Sequence, residues 1–72
     1  MNIHDILLLV CEQLEDTGYP PTIRELALSL SCSIGATHQI VAGLISKGLL
    51  EQAGTRRSLT LTEEGLLLIG RI

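Results

Sequence analysis

A mainly α-helical fold carrying one small β-hairpin is the class this sequence predicts, and three observations predict it. Apolar residues recur at helical spacing in three separate stretches before Gly48. The pattern then changes to period two on either side of Gly54-Thr55-Arg56. Thr62-Glu63-Glu64 finally marks a fresh helix start, with acidic residues in the first turn. The expected architecture is a three-helix core plus a hairpin and a C-terminal helix, an α+β arrangement in a single domain over residues 1–72.

The first helix opens at Asn2, a good N-cap, with Asp5 placed to favour the positive end of the dipole. Ile3, Ile6, Leu7, Val10 and Leu14 form its core stripe, and Leu8 and Leu9 point away from that stripe. The helix runs to Asp16 and ends at Thr17-Gly18. Pro20 and Pro21 enforce an extended connector, since each proline pushes its predecessor out of helical space. Tyr19 is expected to pack its ring on the first helix.

Thr22 begins the second helix, and Glu25 completes a capping box with it. Ile23, Leu26, Ala27 and Leu30 share its apolar face. Ser31-Cys32-Ser33 breaks the pattern, and Ser33 caps a third helix whose core face is Thr37, Val41, Leu44 and Ile45. Gly48 supplies the left-handed stop after Lys47. Two helices joined by such a short turn match the helix-turn-helix unit, whose second helix enters the DNA major groove.

Leu49–Ala53 and Arg57–Leu61 read as the strands of a hairpin. Thr62 caps a last helix from Glu63 to Gly70, in which Leu66, Leu67, Leu68, Ile69 and Ile72 leave almost no polar face.

The apolar fraction is 46%, yet Tyr19 is the only aromatic residue, so Leu, Ile, Val and Ala must build the core. The longest apolar run, Ile6–Cys11, is far short of the ~20 residues that span a bilayer, and the N-terminus lacks the charged start of a signal peptide. A cytoplasmic protein with no membrane partner is expected. Cys11 and Cys32 form no CxxC pair, and reduced thiols are the expectation for them.

Net charge is −3, but the charge is unevenly spread. Residues 33–58 hold Lys47, Arg56 and Arg57 against Glu51; Arg24 and Arg71 face seven acidic residues (Asp5, Glu12, Glu15, Asp16, Glu25, Glu63 and Glu64) in the rest. The basic end therefore coincides with the third helix and the hairpin.

The stretch Gly18-Tyr19-Pro20-Pro21-Thr22-Ile23-Arg24-Glu25-Leu26-Ala27, with Ser33 and then Leu44-Ile45-Ser46-Lys47-Gly48-Leu49-Leu50-Glu51, resembles the N-terminal DNA-binding domain of LexA-type SOS repressors. The likeness runs over about residues 3–61. Leu59-Thr60-Leu61-Thr62-Glu63-Glu64-Gly65 is instead similar to the wing-to-helix passage of MarR-like regulators. Both resemblances imply a winged helix-turn-helix domain, with the hairpin as the wing. The first also implies groove-facing contacts at Ser33, Gly35, Ala36, His38 and Gln39. The second implies a dimer through the terminal helices.

The residue types in that region suit the role. Gln39 is able to bond adenine in bidentate fashion, His38 to donate to guanine or phosphate, and Ala36 to touch a thymine methyl. Arg56 and Arg57 at the hairpin tip suit DNA backbone or a narrow minor groove, against the plainer reading of a solvated turn. Arg24 is either a phosphate contact or an exposed neighbour of Glu25, and Lys47 adds a cation at the end of the third helix. Small Gly and Ala residues on that helix equally permit another protein to approach.

Catalysis is not expected. His4 and His38 sit in no catalytic signature, and the four Cys and His residues match no structural zinc spacing, so neither a metal nor another cofactor is foreseen. The expected function is that of a double-stranded DNA-binding transcriptional regulator, acting as a homodimer with Leu8, Leu9, Leu67, Leu68, Ile69 and Ile72 at the seam. An apolar helix face left over in so small a domain calls for a partner surface. The rival is a winged-helix module for protein–protein contact or assembly, favoured by the acidic balance. Met1 and the helix beyond the hairpin lead us to expect a complete small protein rather than a piece of a larger repressor.

Overall fold

Four side-chain caps set the helix starts in the computed structural model, which describes residues 2–54 and 58–71. Asn2 Oδ1 accepts the Asp5 amide at 2.8 Å and opens α1 (Ile3–Thr17), which Gly18 closes in the left-handed region at φ +79°. Thr22 and Glu25 form the reciprocal capping box of α2 (Ile23–Leu30), each side chain satisfying the other's backbone amide. Ser33 Oγ takes the Ala36 amide at 3.1 Å and opens α3 (Ile34–Ser46). Thr62 Oγ1 takes the Gly65 amide at the head of α4 (Glu63–Leu68). Each cap satisfies a donor that a helix start would otherwise leave orphaned.

Strands β1 (Leu50–Ala53) and β2 (Ser58–Leu61) pair antiparallel, with Leu50 opposite Leu61 and Gln52 opposite Leu59. Cross-strand partners share a face, so these four residues look inward, and Leu50 and Leu59 are fully buried. The outer edge of β2 does not stand free: the Leu59 amide donates to the Pro21 carbonyl at 2.8 Å, tying the hairpin to the α1–α2 connector.

The core gathers Ile6, Leu7 and Val10 from α1, Ile23, Leu26 and Ala27 from α2, Val41 and Leu44 from α3, the two strand leucines, and Ile69. Thr37 is the one buried polar side chain among the described residues, and its hydroxyl donates to the Ser33 carbonyl at 2.9 Å. Among the described residues no single helix is long and apolar enough to cross a membrane. Cys11 and Cys32 are both free thiols.

Several sequence expectations need correction. Leu14, assigned to the α1 stripe, is exposed, whereas Leu8 and Leu9 are half-buried against the core. Because the hairpin and α4 both pack on α1, its buried arc is wider and differently centred than a one-sided stripe. Tyr19 does not pack on α1 and is 74% exposed. Its backbone amide and carbonyl are both bonded to Thr17 Oγ1, which fixes the connector with the ring outward. Ile45 lies outside the α3 core face at 36% exposure. The last helix stops at Leu68 rather than Gly70, and Ile69, expected at a seam between two copies, is buried in the chain's own core. The first strand begins at Leu50, one residue later than expected. Arg57, at the start of the second expected strand, lies outside the described residues.

Candidate nucleic-acid interface

Helix α3 owes its free face to the narrowness of its buried one. Thr37, Val41 and Leu44 are fully inside, held by the capped first turn and by α2, whose axis lies 108° from that of α3 across Ser31-Cys32-Ser33. That angle falls in the range of helix-turn-helix units, roughly 90–120°. At the other end the Leu49 amide reaches the Leu44 carbonyl at 3.0 Å around Gly48, whose φ of +76° strongly favours a residue without a side chain.

Diametrically opposite the buried row, at ~100° per residue, stand Gly35, Gln39, Ala42 and Ser46. All four are exposed. Gln39 is the single long side chain of that row, set among residues too small to hold a surface away. His38 and Lys47, nine residues apart, fall about half a turn from each other and so flank the row on opposite sides. His38 shares its flank with exposed Ile34 and Ile45; Lys47 shares its own with Gly43 and half-buried Ile40. Ser33 and Ala36 are exposed at the first turn, with the Ser33 hydroxyl occupied as the cap.

Arg24, on α2, is exposed and lines a cleft with Ala27, Leu28, Ser31, Cys32 and Ile34, which puts its side chain beside the start of α3. Arg24 and Lys47 have no acidic partner among the described residues, where the recorded ion pair is Arg71 Nη1 with Glu15 Oε2 at 3.2 Å. Both cations are thus unneutralised on the side of the molecule that carries the open face of α3. Arg56 and Arg57, expected at the hairpin tip, lie outside the described residues, as does Ile72. Among the described residues no cluster of three or more His, Cys, Asp or Glu is placed to hold a metal ion.

Residues 3–58 match the family model described as the LexA DNA binding domain. The chain belongs to that family. Among its relatives, the LexA repressor of Enterococcus faecalis is 41% identical over 68 residues, 92% of this chain and 32% of that protein. The LexA repressor of Ligilactobacillus salivarius is 35% identical over 71 residues, covering 96% of this chain and 34% of the relative. The LexA repressor of Saccharophagus degradans is 39% identical, over 94% of this chain and 36% of the relative. The chain spans about a third of the length of these relatives.

The LexA family match ends at Ser58, so α4 and the passage likened to MarR regulators lie beyond it. Ser46, read from sequence only as a position outside the core, closes the outward row at the end of α3. One feature of this LexA-type surface was not singled out from sequence: Leu28 and Ile34 form an exposed apolar shoulder at the turn, 77% and 45% exposed. The opposition of His38 and Lys47 follows from counting turns alone.

Proposed function

We propose that this LexA-type chain is a transcriptional repressor that binds double-stranded DNA as one domain, with α3 in the major groove. The observation that carries this reading is the exposed row Gly35, Gln39, Ala42 and Ser46 on the second helix of a 108° helix pair. Glycine and alanine permit close approach to base edges, and Gln39 then reaches an adenine with both its donor and its acceptor. His38 and Ala36 lie to either side, for a guanine or phosphate and for a thymine methyl. Arg24, Ser33 and Lys47 act on phosphates, positioning the helix without reading sequence. Arg56 and Arg57 serve the flanking backbone from the wing. Such work belongs in the cytoplasm.

We further propose a homodimer that sets two such helices in successive grooves. Its support is the exposure of Leu67 and Leu68 on α4, 57% and 50%, with half-buried Leu8 and Leu9 on α1. Ile72 would join them, whereas Ile69 is already spent on the core.

Fluorescence anisotropy against random duplex at low salt tests the first claim. A rise in anisotropy that falls steeply with added salt is expected; no rise at low salt would leave the second reading, a protein-contact module, which the net charge of −3 and the Leu28–Ile34 shoulder favour.

A further inference from the structure

We propose that the cleft along the Lys47 flank of α3, where that helix meets α1 and α2, is a binding site for a small amphipathic carboxylate, an apolar chain ended by one anionic group. The cleft holds about 450 Å³ between α1, α2 and α3, inside the range of small-molecule sites, roughly 300–1,000 Å³. Its floor is Ile6 and Leu44, 4% and 2% exposed, so an occupant rests directly on the core. Half-buried Ile3, Leu30 and Ile40, one from each helix, form the walls. Filling the cleft removes these three side chains from water, and that favours an apolar occupant.

The rim decides the charge. Lys47 and Gln39 stand on it, and no Asp or Glu lines the cleft. Lys47 has no acidic partner among the described residues. An ammonium beside an apolar cavity, with an amide donor near it, complements a carboxylate and repels a cation. The volume holds one small molecule; a partner helix would need a groove long enough for anchors over two turns. Gly43 leaves this part of the wall open, since a Cβ there would meet nothing within 4 Å.

The test uses the whole chain without DNA, so its outcome is independent of the DNA reading. Octanoate is the probe, with octanol and octylammonium as controls of equal chain length, and methyl NMR shifts are followed. Saturable shifts are expected at Ile3, Leu30 and Ile40, with octanoate bound about fivefold more tightly than octanol, the upper end of what a solvent-facing ion pair supplies, and octylammonium weakest. Lys47→Gln should remove the preference for octanoate over octanol. Gly43→Leu fills the cleft from its own wall, in a residue that favours helix, and should abolish saturable binding by a folded chain. Shifts that never saturate, that centre on Leu67 and Leu68, that are equal for all three probes, or that survive in Gly43→Leu would overturn the proposal.

Discussion

The hydroxyl of Thr62 donates a 2.6 Å hydrogen bond to the carbonyl of Gly48, fourteen residues back along the chain. The same oxygen accepts the Gly65 amide at 3.1 Å, and the Thr62 amide donates to Leu49 at 3.1 Å. One side chain therefore caps α4 and ties it to the end of α3. Thr62→Val should lower stability by about 1–2 kcal/mol, since both the cap and the tie are lost. Thr62→Ser, which keeps the hydroxyl, should recover most of it. Urea denaturation of the two variants gives the comparison, and equal stabilities would discount the hydroxyl.

Two glycines should respond to alanine in opposite senses. A Cβ on Gly65 would meet the Leu49 carbonyl oxygen far inside van der Waals contact, and backbone cannot rotate away as a side chain does. Gly65→Ala should cost roughly 1–3 kcal/mol through that overpacking. Gly43 lies within α3 with open space around it, so Gly43→Ala should add about 0.5–1 kcal/mol by helix propensity alone. Thermal denaturation should move the two variants in opposite directions from the parent.

Base-reading and phosphate-holding residues separate by what their loss does across sequences. Gln39→Ala should cost ~1–3 kcal/mol on preferred sites and little elsewhere. Arg24→Ala and Lys47→Ala should weaken all duplexes alike, each lowering the slope of log K against log salt by about 0.9. A uniform loss from Gln39→Ala would move that side chain from base edge to backbone.

The wing makes its own prediction. Replacing Arg56 and Arg57 together by Ala should flatten the salt dependence by about 0.9 for each phosphate contact removed. Affinity and slope both unchanged in the double variant would remove the wing from the interface.

Self-association is best probed at Leu68. Its side chain is half-exposed, so Leu68→Glu should give a folded monomer where the parent scatters light as a dimer. Leu8→Glu also disturbs packing against the core and should lose stability as well as partner. A parent chain that elutes and scatters as a monomer would exclude the dimer.

How much of this was legible beforehand depends on the range of the interaction responsible. The caps at Asn2, Thr22, Ser33 and Thr62 were readable because each acts within three residues of chain. The core faces of α2 and the inner half of α3 were readable from periodicity. Leu8, Leu9 and Leu14 were not, because the arc of α1 that is buried depends on β2 and α4, elements more than forty residues away. Tyr19 misled because its ring chemistry favours burial while the Thr17 hydroxyl holds its backbone in a turn that points outward. On the candidate site, residue types were legible, and Thr37, Val41 and Leu44 gave the buried row from which the outward positions of α3 follow; Ile45, counted with that row, was not, because a further apolar residue at helical spacing need not meet a packing neighbour.

The joint at Gly48, Leu49, Thr62 and Gly65 also acts as a gauge of angle. Because α4 is fixed there to the end of α3, the heading of Leu67 and Leu68 is locked relative to Gln39 and the outward row. Whatever settles on those two leucines inherits a set bearing to α3, much as a key's teeth are indexed to its shoulder. A single alanine inserted between Leu66 and Leu67 would turn the bearing by ~100° and advance it by ~1.5 Å. The same insertion would carry Leu68 into the buried place of Ile69 and Ile69 out of the core, so any geometry built upon the exposed leucines would be reset at a cost in stability.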